Sequence, residues 1–412
     1  MAFFSPFVRR VPTSQDTILR DKAASMLTSA ATGSDPVAST ASVAITLSAG
    51  STASTIANGV LVAPQDSVFT YLGSQMEPGD VFTTGASWNS YVGAMTTLKG
   101  WSRKSYTGGF GGPYRVVFGY GGRYLDVNLM GSGVVRIWVD GRPLAVAPRT
   151  DLTGFSPRQY ILDFATYARR TIEVEVGGQI NFGGVKRERD YNLWTVENRG
   201  LRVAHIGDSF SEGGNNGNNA LQTCAGQAAA YLGVKDYWNV GEGSTGFMTN
   251  GNQSGKKYQE KFATDVQPYN PDWIVVCAGI TDAGQNATTV QTLATAYYQN
   301  MLAALPNAIV TVVGPWRAPG LNPSQGIFDA MRNAVAAQTS AVAARRIMYF
   351  DTLAENVQQI AGRVGAVSGA GNSNVYIGAD NIHPVVEGDD YLGRYVANCV
   401  IRHANAIVKA PR

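Results

Sequence analysis

Three side chains of this 412-residue chain could together make a reactive hydroxyl. Ser209 stands in RVAHIGDSFSEGG, where an apolar run (Val203, Ala204, Ile206) breaks at Gly207-Asp208-Ser209 and gives way to Gly and Asn. A serine is a poor nucleophile until a base takes its proton, and the base needs a third group to hold it. Only three histidines are available. His205 lies inside the apolar run, where a packed structural role is expected. His403 falls in the C-terminal helical segment, where a surface position is the default. His383 sits in GADNIHPVVEGDDYLG, after a Gly-rich loop and just before that last helix, with Asp380 three residues ahead. In a loop, this spacing can bring a carboxylate to one imidazole nitrogen while the other faces a serine. The acid then fixes the tautomer and stabilises the imidazolium. The predicted chemistry is acyl transfer through Ser209, with His383 as base and Asp380 as its partner, needing neither metal nor organic cofactor.

Groups placed so far apart need a scaffold, and the sequence changes character along its length. From about Asp66 to Val185 the pattern is all-β. YRVVFGY, RYLDVNLM and RTIEVEVGG alternate, and VVRIWVDGRPLAVA reads as a hairpin around Asp140-Gly141. Short strands between Gly-rich turns predict a β-sandwich of jelly-roll type. After the polar stretch KRERDYNLWTVENRG the pattern becomes strand–helix alternation. Strands are expected at 201–206, 236–240, 273–277, 308–313 and 347–350, and helices at 220–232, 289–305, 325–345 and 387–408. Short strands apolar on both faces predict a parallel sheet covered by helices. Reactive groups of such sheets gather beyond the carboxyl ends of the strands, and Ser209 follows the first of them. The domain reading is 1–75, 76–195 and 196–412. The first is a low-charge segment for anchoring or oligomerisation, with a helix at 14–31; the second is a β-sandwich, a candidate carbohydrate binder; the third is catalytic.

Totals narrow the function further. Hydrophobic residues make up 44% and charged residues 15%, which suits a folded chain of more than one domain. A formal net charge of +3 without a basic run gives no reason to expect a nucleic-acid partner or an anionic membrane surface. No stretch is long and apolar enough to span a bilayer. Cys224, Cys277 and Cys399 have no metal-ligand spacing and sit in apolar segments, so they read as buried free thiols. The opening MAFFSPFVRRVPTSQD has too short an apolar run for a secretory leader. The expectation is a chain that stays where it is made or leaves by another route, such as lysis.

The Gly207-Asp208-Ser209 box after the first strand, together with Asp380-Asn381-Ile382-His383 near the C-terminus, resembles the SGNH (GDSL-type) hydrolase family over about 200–412. The resemblance implies a flavodoxin-like three-layer α/β/α domain with serine as nucleophile and histidine as base. It also implies an oxyanion hole from the Ser209 N–H, from an N–H at Gly243 or Ser244 in NVGEGSTGF, and from a third block usually written Gly-x-Asn-Asp. Here that block reads Gly279-Ile280-Thr281-Asp282, with Thr281 in place of the amide. Thr281 could donate, Asn286 or Asn250 could substitute, or the site could be slow. Asp208 has two readings, a brace for the turn or a substrate contact; Trp316 and Asn286 are further candidate substrate contacts. A β-sandwich before such a domain is similar to the arrangement in carbohydrate deacetylases, and the approach to Ser209 (Glu212, Asn215, Asn216, Asn218) is polar. The expected function is removal of O-acetyl groups from an acetylated glycan. The alternatives are an esterase or lipase on other short acyl esters, and a glycan-binding virion module with a weak or vestigial site. The low-charge N-terminal segment resembles phage virion deacetylases in composition and implies a homo-oligomer, such as a trimer.

Overall fold

The computed structural model describes residues 14–33, 43–49, 56–64, 66–73, 113–152, 157–197, 200–214, 219–252, 254–355, 357 and 373–410. The first described element is helix α1 (Ser14–Thr32). Leu19, Ala23 and Met26 recur on one of its faces and are at most 2% exposed. That face packs on the C-terminal helix, and the Arg20 guanidinium donates to the carbonyls of Val408 and Ala410.

Ten strands then form one antiparallel sheet among the described residues: β1 (Ala44–Ala49), β2 (Val60–Val62), β3 (Thr70–Leu72), β4 (Tyr114–Tyr120), β5 (Tyr124–Val139), β6 (Arg142–Pro143), β7 (Arg149–Leu152), β8 (Pro157–Asp163), β9 (Arg170–Arg187) and β10 (Leu193–Trp194). The main path is β1-β8-β5-β9-β4-β10, with β2 on β9, β3 on β4, and β6 and β7 on β5. Asp140 and Gly141 both have positive φ, 50° and 79°, so β5 and β6 join through the two-residue turn expected there. The β5–β9 register shifts between Val127 and Leu129. Opposite it Gly184 takes φ +84°, where a Cβ would meet the Val62 carbonyl at 2.2 Å. This bulge lets the long strands bend, and the sheet encloses an apolar core that includes Phe69, Phe118 and Phe182, as a β-sandwich does. The alternation expected for β9 is hidden in its burial. Glu173 and Glu175 point away from the core yet are nearly inaccessible, because Arg115, Arg136 and Lys235 lie over them.

The second sheet is parallel: β11 (Arg202–Gly207), β12 (Asp236–Asn239), β13 (Trp273–Cys277), β14 (Ile309–Val313) and β15 (Ile347–Phe350), in the order β12-β11-β13-β14-β15. This is the flavodoxin-like order, whose switch point lies between β11 and β13. Alternate residues of each strand enter two different cores: Val203, Val275 and Cys277 on one face, Ala204, Ile274 and Val276 on the other. The helices are α2 (Ser209–Glu212), α3 (Cys224–Leu232), α4 (Tyr258–Lys261), α5 (Ala287–Ala304), α6 (Gln325–Ala336), α7 (Thr339–Ala343), α8 (Ser373–Tyr376) and α9 (Val386–Val408). Helices α1, α3 and α9 cover the first face, and α5 and α6 the second, giving three layers. The single helix expected at 325–345 is two, broken at Ala337 and Gln338. The one expected from 220 begins as a 3₁₀ turn before Thr223 caps α3.

The sheets meet at Asp236, whose carboxylate accepts from Gly73 N–H, Trp238 Nε1 and Arg202 Nε. The three cysteines are free and buried. His403 departs from its expected surface position. Its ring is buried between the Thr311 hydroxyl and the Arg345 carbonyl, and burial lowers its pKa to about 4 although that carbonyl opposes the shift.

Candidate active site

Strand β11 delivers Ser209 to the switch point. Gly207 is needed two residues before it, since a Cβ there would fall 2.0 Å from Ser211 Oγ. Asp208 caps α2: its Oδ1 accepts the Phe210 N–H at 3.0 Å. The side chain has no accessible surface, so Asp208 is a brace and the substrate-contact reading is corrected. Burial raises its pKa to about 7; the Phe210 N–H works against that rise and the nearby Asp282 adds to it.

Loop 376–385, ahead of α9, brings the partners. Asp380 Oδ1 accepts from the N–H groups of Ile382 and His383, both at 3.0 Å. Asn381 takes φ +62°, a conformation Asn tolerates better than most residues, and the chain folds back on its own carboxylate. Gly378 N–H donates to the His383 carbonyl and Val385 N–H to Tyr376, which closes the loop. The result is a continuous line. His383 Nδ1–H donates to Asp380 Oδ2 at 2.7 Å, and Ser209 Oγ lies 2.9 Å from His383 Nε2. Burial pushes the Asp380 carboxyl up, but the Ile382 N–H, the imidazole and the His383 N–H together hold it below the ordinary carboxylate range. A hydroxyl, an imidazole and a carboxylate in this line can move the hydroxyl proton onto the ring as the oxygen attacks. Gly214 lies against His383: a Cβ there would be 2.8 Å from its Cβ and from two carbons of its ring. Part of the small-residue loop therefore makes room for the base. Asn215, Asn216 and Asn218 lie outside the described residues.

Loop 242–248, after β12, faces α2. Ser244 has φ +65°, so the serine occupies a left-handed position that glycine prefers. Its N–H and that of Ser209 have no acceptor among the described residues. Two expected donors are otherwise engaged. Gly243 N–H is held by Glu212 Oε2 at 2.5 Å, and the Thr281 hydroxyl donates to the Thr245 carbonyl at 2.6 Å. Both are corrections: these groups tie the loop down and do not point a proton at a substrate. Asp282 ties it further by accepting from Phe247 and Met248 N–H. Glu242 is fixed by the fully buried Lys261 at 2.8 Å and by Ser254 N–H at 2.6 Å. Glu212, expected in the open polar approach to Ser209, is instead buried against Gly243, and Lys261 is a contribution the sequence reading missed. Nothing in SEGG or YQEKF distinguishes a buried charge from a surface one.

The remaining candidates do not join the site. Trp316 is 1% exposed and packs edge-on against Tyr395 in the core, so it offers no stacking surface. Asn286 uses its side-chain oxygen to cap α5 through Thr289 N–H. His205 is buried between Tyr237 and Ser211, and burial lowers its pKa to about 3. Among the described residues no group of three or more His, Cys, Asp or Glu is placed to hold a metal ion. No helix among them is long and apolar enough to cross a membrane.

The GDSL-like lipase/acylhydrolase family profile matches residues 205–391, which span both halves of the serine–histidine line. The chain carries a GDSL-like hydrolase domain. That domain makes it a carboxylic ester hydrolase. No curated protein matches the sequence. Solved structures place the GDSL-like domain and its antiparallel partner in a shared fold. The salicylyl-acyltransferase SsfX3 from a tetracycline biosynthetic pathway is 15% identical with a TM-score of 0.58, covering 86% of this chain and 98% of that one. A family two carbohydrate esterase from Cellvibrio japonicus is 13% identical with a TM-score of 0.55, covering 88% and 99%. A carbohydrate esterase family 2 enzyme with a carbohydrate-binding domain, from Corynascus thermopiles (Myceliophthora fergusii), is 16% identical with a TM-score of 0.50, covering 71% and 94%.

Proposed function

We propose that the chain removes O-acetyl groups from a carbohydrate through an acetyl-serine intermediate. Ser209 Oγ attacks the ester carbonyl while its proton passes to His383 Nε2. The oxyanion is met by the N–H groups of Ser209 and Ser244. The C–O bond to the sugar breaks, and His383 gives the proton to the leaving alkoxide. Water then attacks the acyl-enzyme, its proton moving to His383 and on to Ser209 Oγ as acetate leaves. Asp380 holds the ring in the tautomer this needs. The carbohydrate part of the reading is carried by one observation. The likeness to the Cellvibrio carbohydrate esterase spans 88% of this chain, so it takes in both sheets. In this reading the antiparallel domain is a jelly roll that frames the glycan, and the low-charge N-terminal region joins copies into a homo-oligomer.

A second reading has its own support, since the acyltransferase SsfX3 shares the same two-sheet arrangement. The acyl-enzyme would then pass its acyl group to an alcohol. One experiment separates the two: acetate release from acetylated polysaccharide, compared with p-nitrophenyl acetate and longer p-nitrophenyl esters. The proposal expects free acetate from the glycan and a fall in kcat/KM as the acyl chain lengthens. Faster cleavage of long-chain esters, or acetyl transfer to an added alcohol without free acetate, would overturn it.

A further inference from the structure

The Ser209 and Ser244 N–H groups give the oxyanion two donors, and the Thr281 hydroxyl is committed to Thr245. A third group stands nearby. A Cβ placed ideally on Gly243 would lie 3.7 Å from Ser209 Cβ and 3.3 Å from Asn252 Nδ2. The amide of Asn252 and the Cβ of the nucleophile therefore both border the space that a side chain at 243 would fill. Glu212 Oε2 borders the same space at 2.9 Å and is held by the Gly243 N–H.

We propose that Asn252 Nδ2 is the third oxyanion donor, doing from the loop after β12 what an amide at position 281 would do from the loop after β13. The inference rests on the esterase reading above. Asn252 is exposed, and its side chain has no hydrogen-bond partner among the described residues, so the amide is free to meet a substrate. Its backbone is not free. Asn252 N–H donates to the Gly243 carbonyl at 3.0 Å, and Gly255 N–H to Gly251 at 3.0 Å. Two residues on, Ser254 N–H donates to Glu242 Oε1 at 2.6 Å. These ties fix the turn that carries Asn252 to the loop that carries Ser244. The two donors move as one piece, and little reorganisation is left for the moment of attack. Asn286 belongs to the cap of α5 and has no such link.

The test uses the full chain and p-nitrophenyl acetate. Asn252→Ala is expected to lower kcat by on the order of 10²-fold, the usual effect of removing one oxyanion donor, with KM changed by about twofold or less. Because the side chain is exposed and unbonded, the thermal unfolding midpoint should not move. Asn252→Asp, equal in size but with a carboxylate for the donor, should be at least as slow. An Asn252→Ala enzyme that keeps kcat within about threefold of the parent overturns the assignment. So does a loss that appears in KM alone or that tracks a fall in the unfolding midpoint. A parent chain that hydrolyses no ester overturns the esterase reading first, and this assignment with it.

Discussion

Thr281 shows how much a single residue type leaves open. Its hydroxyl could donate to substrate or to backbone, and only the neighbouring carbonyl of Thr245 decides between them. Asp208 is similar. Its place in the Gly-Asp-Ser box is plain from the sequence, but its complete burial is not, and burial raises its pKa to about 7. The sign of the consequence is definite. A carboxyl whose pKa is higher folded than unfolded contributes stability that is fully present below the ordinary carboxyl pKa. That contribution is lost as pH rises, and the loss is complete above about 7. An asparagine in its place would keep the cap, since the amide oxygen can accept the Phe210 N–H, but would not titrate. Asp208→Asn should therefore gain stability relative to the parent as pH rises from about 4 to 7 and level off above that. Thermal unfolding across that range measures it, and a difference that does not change with pH contradicts the assignment. The Ser209, His383 and Asp380 line was legible because chemistry allows few alternatives among three histidines.

At the scale of elements, the parallel strands were readable to within a residue or two, since most of their residues are buried and mainly apolar, with Asp236, Asn239, His205 and Thr311 as the polar exceptions. Segment 258–269 was not. It mixes Lys, Glu, Gln and Asp with aromatics, which reads as surface, yet Lys261 has no exposure at all. It lies against Glu242 at 2.8 Å and Asp265 at 3.6 Å, so a buried ion cluster sits directly behind the loop that carries Ser244. The break between α6 and α7 was equally unmarked, with neither Gly nor Pro to announce it. Removing one partner of a buried pair costs more than the pair itself contributes, because a charge is stranded. Lys261→Ala should destabilise the chain by roughly 3–5 kcal/mol in denaturant unfolding. Lys261→Met combined with Glu242→Leu should cost less. If the single change costs under about 1 kcal/mol, the cluster is not the anchor described.

At the scale of the molecule, composition showed two architectures but not how the N-terminal segment is shared between them. In its described residues, α1 packs on α3 and α9, while β1, β2 and β3 join the antiparallel sheet. Long-range pairings such as Arg20 with the C-terminal carbonyls leave no local sequence pattern. Met26, fully buried against the hydrolase layer, measures how far α1 belongs to that fold. Met26→Ala should cost about 2–5 kcal/mol and lower the stability of the catalytic domain itself. A helix that only anchored the chain elsewhere would leave that stability unchanged.

Ser209 should carry the acyl group, and mass spectrometry of the quenched enzyme can locate it. After brief exposure to p-nitrophenyl acetate and an acid quench, peptide mapping should find a single acetyl group on Ser209. It should vanish in Ser209→Ala, together with acetate release. A Ser209→Ala chain that still releases acetate at the parent rate, or an acetyl group found on another residue, would contradict the account.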